Sequence, residues 1–336
     1  MGKKDEFISI QIDDLKLGMH VIIDLAWHEH PFLKNNFLIK TETDIEKIKA
    51  LGLKKVLYDP SRSQQVAEHN STDNSLTKGP EEKKETSEIL SDTLIKSIHD
   101  DHLPPRDKAV IVQKHSFTMM KNMLENPTAE NIKEAKKGIS QIVNLILKDD
   151  ATLFYLLNIT EHDYYTYTHS VDVGILGVAM AKSLFKNQSN HDIHALGAGF
   201  FLHDLGKVDI DKAIINKPGR LTDMEMREMR RHPECGFELL LRTRQLTDES
   251  KVIVLQHHER FDGTGYPKRL HGDKIHIYGR ICAIADVYDA LTTERPYKEK
   301  MKVFDALKLM REEMIHHFQK DLFERFVLLF KPPSGL

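Results

Sequence analysis

Residues 195–207 read ALGAGFFLHDLGK, an apolar run that ends in His203, Asp204, Gly206 and Lys207. The run predicts a buried helix whose last turn carries a histidine beside a carboxylate. Adjacent side chains on a helix project about 100° apart. Both can therefore reach metal only at the helix end, or with the carboxylate bridging two ions, which favours a two-metal site. Taken alone, a His-Asp pair reads rather as an ordinary polar helix end with Gly206 as its cap.

Outward from this run the apolar period stays near 3.6. Ile139, Ile142, Val143, Ile146 and Leu147 repeat at helical spacing upstream, and Val303, Ala306, Leu307 and Met310 do so downstream. The pattern predicts one large all-helical domain over residues 89–336. Towards the N-terminus the period changes. Residues 7–12 and 20–25 read as short strands, Thr43 or Asp44 can cap a helix that runs to about Leu51, and residues 55–58 return as a strand. The expectation is a small α+β domain over residues 1–60. Residues 61–88 are polar and hold too little apolar surface to offset the entropy of ordering, so a flexible linker is expected there. The fold class is thus mainly α, an all-helical domain preceded by a small α+β one.

The chain has 336 residues, with 48 Lys+Arg against 51 Asp+Glu. A net charge of −3 argues against a dedicated DNA-binding protein, although a local basic patch can still meet phosphates. Two cysteines, Cys235 and Cys282, match neither a thiolate zinc site nor a disulfide framework. No run approaches a membrane span, and the first residues contain no hydrophobic signal region. A soluble cytoplasmic protein is expected, with oligomerisation left open.

Nineteen histidines are unusual beside two cysteines, and their positions matter. His169 opens an apolar helix, His232 precedes Pro233 at a helix junction, His257-His258 follow an apolar run, and Asp286 lies within another. Each alone reads as a satisfied polar residue. Together they place imidazoles and carboxylates on apolar helices, where a metal would compensate buried charge. Nitrogen and oxygen ligands without thiolates suit iron, manganese or zinc. After the doublet, residues 257–267 read HHERFDGTGYP, whose glycines and proline predict a tight loop beside the centre. Tyr266 in this loop is suited to stacking on a base or bonding a phosphate.

This ordered set, His169, His203-Asp204, Lys207, His232, His257-His258, Gly265-Tyr266-Pro267 and Asp286, followed by residues 289–298 (DALTTERPYK), resembles the HD-GYP family of cyclic-di-GMP phosphodiesterases. The likeness covers about residues 160–330, and residues 7–60 are similar to a small domain often found ahead of such domains. It implies a helical domain with two divalent metal ions, iron or manganese. His169, His203, Asp204 and Asp286 would hold one ion, and Asp204 would bridge to a second held by His232, His257 and His258. Tyr165 stands where some members carry a glutamate for a third ion, so two are expected. Lys207, Arg295 and Lys298 match positions that contact substrate phosphates, and Tyr266 lines the nucleotide pocket. A hydroxide bridging the ions would open cyclic-di-GMP to pGpG, with a further cut to GMP left open. The Gly265-Tyr266-Pro267 loop also implies docking to diguanylate cyclase (GGDEF) domains. The alternative is a catalytically weak signalling module that binds nucleotide or docks such partners.

Other polar residues receive plainer readings. His316-His317 reads as the solvated face of an amphipathic helix. Asp289 is expected to orient its helix or Arg295. Glu259 is either a partner of a ligating histidine or an exposed loop acid.

Overall fold

In the computed structural model the described residues are 8–23, 36–39, 41–49, 51, 53–60, 63, 89–159, 166–186, 188–217, 219–293 and 300–331. The expected linker at 61–88 lies outside them apart from Ser63. So do Trp27, Tyr165, Arg295 and Lys298. Contacts divide the chain into two compact units, Met1–Lys83 and Lys84–Leu336.

Among its described residues the first unit holds a four-stranded antiparallel sheet and one α-helix. Its strands are β1 (Ile8–Gln11), β2 (His20–Ile22), β3 (Asn36–Leu38) and β4 (Lys55–Asp59), in the order β1-β4-β2-β3. Val21 faces Tyr58 on one side and Phe37 on the other. Helix α1 (Glu42–Lys49) buries Ile45 and Ile48 with Val21, Ile23, Ile39 and Val56. Strand β3 is too short to have left a period in the sequence.

The regular structure among the second unit's described residues is all helical. Helices α2 (Asp92–Ile98), α3 (Pro105–Glu125), α4 (Ala129–Lys148) and α5 (Asp150–Asn158) come first. Thr128 starts α4 by accepting the Asn131 N–H at 3.2 Å, and Ile132, Ala135, Ile139, Ile142, Val143 and Ile146 form its buried face. There follow α6 (Thr166–Phe185), α7 (Ile193–Phe201), α8 (Lys212–Ile215), α9 (Asp223–Met229), α10 (His232–Arg242) and α11 (Asp248–Gln256). The last are α12 (Ile277–Thr292), α13 (Val303–Glu313) and α14 (Lys320–Val327). Among the described residues, no helix is long and apolar enough to cross a membrane.

Helix α6 is buried on nearly every side, as an all-round apolar helix must be, and α7 packs directly on it. Contact is close because Gly174 has no side chain. A Cβ there would enter the ring of Phe201, itself fully buried. Burial of each of Phe200 and Phe201 contributes about 2–3 kcal/mol. The pairing of α6 with α7 also fixes the end of α7 beside the start of α6, where His203 and His169 lie.

Candidate metal centre

Asp192 caps α7 by accepting the His194 and Ala195 N–H groups, and the helix gives out at Leu202. His203 and Asp204 follow, just before a 3₁₀ turn over Leu205–Asp209. Gly206 is not a helix cap. A Cβ on it would strike the carbonyl of His232 and the backbone of Gly236, so it is the point where this turn seats on the start of α10. That close approach brings His232 to Asp204. His257 ends α11, His258 follows it, and α12 supplies Asp286 and Asp289 one turn apart.

The seven residues expected as ligands converge. Asp204 Oδ2 lies 3.4 Å from His169 Nε2 and 3.5 Å from His203 Nε2. Its Oδ1 lies 3.3 Å from His232 Nε2 and 3.7 Å from His257 Nε2. Asp286 repeats the arrangement, with Oδ1 3.1 Å from His169 Nε2 and Oδ2 3.3 Å from His258 Nδ1. Two sets of donor atoms are each compact enough for one ion: His169, His203 and Asp286, and Asp204, His232, His257 and His258. Lys207 Nζ donates to Asp204 Oδ2 at 2.5 Å.

Tautomers decide whether this pocket suits metal. His203 Nδ1 donates to the Phe200 carbonyl at 2.8 Å, His232 Nδ1 to that of Met229 at 2.7 Å, and His257 Nδ1 to that of Val254 at 2.9 Å. His169 Nδ1 donates to Asp289 Oδ2 at 2.6 Å. In the neutral rings every Nε2 therefore presents a lone pair inward. His232 and His257 point these nitrogens at each other across 3.1 Å, and His169 and His203 do so across 3.3 Å. Lone pairs so placed repel, and Asp204 Oδ1 is buried without a hydrogen-bond donor. A divalent cation held within each set would satisfy these atoms, so the residues fit such ions.

Electrostatics agree. Burial pushes His203 down to about 4 and His232 to about 3, and pushes His258 well below the ordinary histidine value, so these rings are neutral near pH 7. Burial alone would raise the Asp204 carboxyl. The Lys207 ammonium and then His203 overcome it and hold Asp204 well below the usual carboxylate range. Asp286 is likewise lowered against burial, by the close approach of His169 and then of His258. Anionic carboxylates and neutral imidazoles are the protonation states that metal requires.

The loop after His258 closes one side. Glu259 is neither an exposed acid nor a partner of a ligating histidine. It is buried and accepts the Lys268 and Leu270 N–H groups at 2.7 and 2.9 Å, tying the loop together. The Tyr266 N–H bonds the His258 carbonyl at 3.1 Å, and its ring stacks on the His258 ring with centroids 4.6 Å apart. Arg230 lies 5.3 Å over the same ring, a placement with no signal in the sequence. Asp289 partners His169 and also accepts from Thr293 Oγ1 at 3.0 Å. The expectation that it orients its helix or Arg295 missed this role, because the three-residue spacing to Asp286 does not say which neighbour faces it. His316-His317 is not on the face of α13, which stops at Glu313, but in a 3₁₀ turn over Ile315–His317.

Comparisons with known proteins place this architecture. Residues 165–322 match the HD domain family, and residues 7–148 match a domain of unknown function (DUF3391) that extends well past the expected boundary at residue 60. The chain is 32% identical to the cyclic di-GMP phosphodiesterase PA4108 of Pseudomonas aeruginosa over 326 residues, covering 95% of this chain and 75% of that protein. It is 45% identical to the 3'3'-cGAMP-specific phosphodiesterase 2 of Vibrio cholerae over 120-odd residues, specifically 124, covering 37% of this chain and 24% of that one. The solved structure of Bd1817, a HDG"Y"P protein from Bdellovibrio bacteriovorus, shares the fold with a TM-score of 0.60 at 18% identity, covering 97% of this chain and 100% of that chain. Fold and site together define an HD-domain phosphohydrolase, a class that binds divalent metals. Within it, the chain belongs to the HD-GYP family of phosphodiesterases.

Proposed function

We propose that this protein hydrolyses cyclic-di-GMP at a two-metal centre, giving pGpG and leaving a second cut to GMP open to it. The observation that carries the reading is the Asp204 carboxylate, which turns one oxygen to each histidine set and leaves Oδ1 without a donor. A cyclic-di-GMP phosphodiesterase that this chain matches over nearly its full length supports the substrate. His169, His203, Asp204 and Asp286 would hold one ion, and Asp204, His232, His257 and His258 the other, with Asp286 close to both sets. When bound, the two ions, iron or manganese, supply Lewis acidity and make water acidic enough to ionise near neutral pH.

The chain's own groups do the rest. Lys207, half-buried at the rim, neutralises nonbridging phosphate oxygens as charge builds on them. Tyr266, held flat against His258, offers its other surroundings to a guanine or ribose, and the exposed Arg230 beside it adds a cation near the phosphates. Arg295 and Lys298 enter on the resemblance alone, as further phosphate contacts. The protein acts in the cytoplasm, and the Gly265-Tyr266-Pro267 loop is a docking surface for GGDEF domains.

A second reading, hydrolysis of 3'3'-cGAMP, draws on 45% identity over 124 residues to an enzyme specific for it, against 43% over 120 residues to a cyclic di-GMP phosphodiesterase response regulator. The test is chromatographic product analysis of both nucleotides with protein prepared anaerobically and loaded with Fe(II) or Mn(II), beside His203→Ala. Metal-dependent pGpG that vanishes in the variant is the expected result. Faster turnover of 3'3'-cGAMP would move the assignment to that nucleotide. No product from protein carrying two metals would favour the binding or docking module.

A further inference from the structure

Outside the centre, one more group among the described residues gathers metal-binding atoms: Asp262, His316 and His317, each offering one donor atom within 4.8 Å of the others. None belongs to the seven residues above. Two segments far apart in sequence meet here, the loop after His258 and the 3₁₀ turn after α13. Their backbones are joined by the Phe261 N–H, which donates to the His317 carbonyl at 2.9 Å. Asp262 Oδ1 is taken by the Thr264 N–H at 3.0 Å and the Thr264 hydroxyl at 2.7 Å. Its Oδ2 is turned to the histidines, 3.8 Å from His316 Nε2 and 4.0 Å from His317 Nε2.

His317 is poorly served as an ordinary polar residue. Its Nδ1 is buried without a hydrogen-bond partner, and its Nε2 meets only the Arg260 guanidinium, 3.3 Å away, among its hydrogen-bond contacts. That guanidinium is exposed and free to turn into solvent. A metal and Arg260 are thus alternative cations for one lone pair.

We propose that Asp262, His316 and His317 form a second, separate metal site for a borderline divalent cation of the zinc type. Zinc binds imidazole nitrogen and carboxylate oxygen at about 2.0–2.2 Å, so tetrahedral donors sit about 3.3–3.6 Å apart. Closing the two Asp262–imidazole spacings to that range needs shifts of roughly half an ångström, within reach of the exposed His316 ring. Two imidazoles with one carboxylate exclude calcium and magnesium, which take oxygen donors. Three protein ligands leave one position to water. An ion here would clamp the loop that carries Tyr266 to residues 315–317; this consequence for catalysis rests on the function proposed above, whereas the site itself does not.

The test is zinc stoichiometry of the full-length protein after equilibrium dialysis, measured by elemental analysis for wild type, His316→Gln, Asp262→Asn and His203→Ala. The two loop variants leave the central ligands untouched. Wild type should hold one zinc more than either, and cobalt substitution should give visible absorption that His316→Gln lacks and His203→Ala keeps. Equal zinc in wild type and both loop variants would overturn the site. Failure of the central two-metal reading would show separately, as undiminished central metal in His203→Ala.

Discussion

Asp289 Oδ2 accepts the Nδ1–H of His169 at 2.6 Å, and both groups are almost wholly buried. The bond fixes the tautomer, so that Nε2 of His169 is the bare nitrogen facing Asp204 and Asp286. Asp289 is thus a positioning residue for the His169 imidazole, through which it would act on a bound ion.

Removing that acceptor should weaken metal binding without deleting a ligand. Asp289→Ala is expected to lower affinity for the ion at His169 by about 10–100-fold. Asp289→Asn, which keeps an acceptor oxygen, should lie between it and wild type. Competitive chelator titration reads this directly; wild-type affinity in Asp289→Ala would mean that the pair serves packing alone.

Asp204 is shared by both histidine sets, so its loss should be felt by both. Asp204→Ala is expected to lose both ions and turnover together, whereas His169→Ala and His232→Ala each act first on one set. Elemental analysis separates these cases. Normal activity in a metal-free Asp204→Ala protein would refute the two-metal assignment.

Gly206 has no room for a methyl group, because the atoms it would meet belong to the backbone of α10. Gly206→Ala should destabilise the protein by about 1–3 kcal/mol. It should also weaken metal retention, since relief of the clash moves His232 from Asp204. Thermal melts with a parallel metal assay check both, and an unchanged midpoint would contradict the close packing.

Tyr266 touches His258 but supplies no atom to either donor set. Tyr266→Ala should raise KM for the nucleotide or weaken partner docking, with metal content near wild type, and Tyr266→Phe should retain much of the stacking. If Tyr266→Ala instead emptied the site, the loop's main work would be to hold His258.

Acid should destabilise the metal-free protein early. His203 and His232 take up protons near pH 6.5 when unfolded but only near about 4 and about 3 when folded. The unfolded chain then binds more protons below pH 6.5, so stability is fully present above that value and falls until the folded values are passed. His203 alone accounts for a loss on the order of 2 kcal/mol at pH 5. Urea titrations of chelator-treated protein from pH 7.5 to 4.5 should show the decline. A flat profile between pH 6.5 and 5 would mean these rings are more accessible than their burial implies.

The sequence by itself determined the mainly helical fold class and the candidates for the centre. Apolar periods of 3.6 report which face of a helix is buried, and imidazoles set within apolar runs stand out because burial there needs compensation. It carried less about the first unit, where the three-residue strand β3 is shorter than any readable period. What only the tertiary structure decided is which lone pairs meet. The turn of Asp204, one oxygen to His169 and one to His232, depends on Gly206 seating against α10, a contact between segments with no common pattern. The same holds for Asp289 behind His169, for Arg230 over Tyr266 and for Asp262 beside His316-His317. Each joins residues whose nearness is set by helix packing, and packing distances are not written in local spacing.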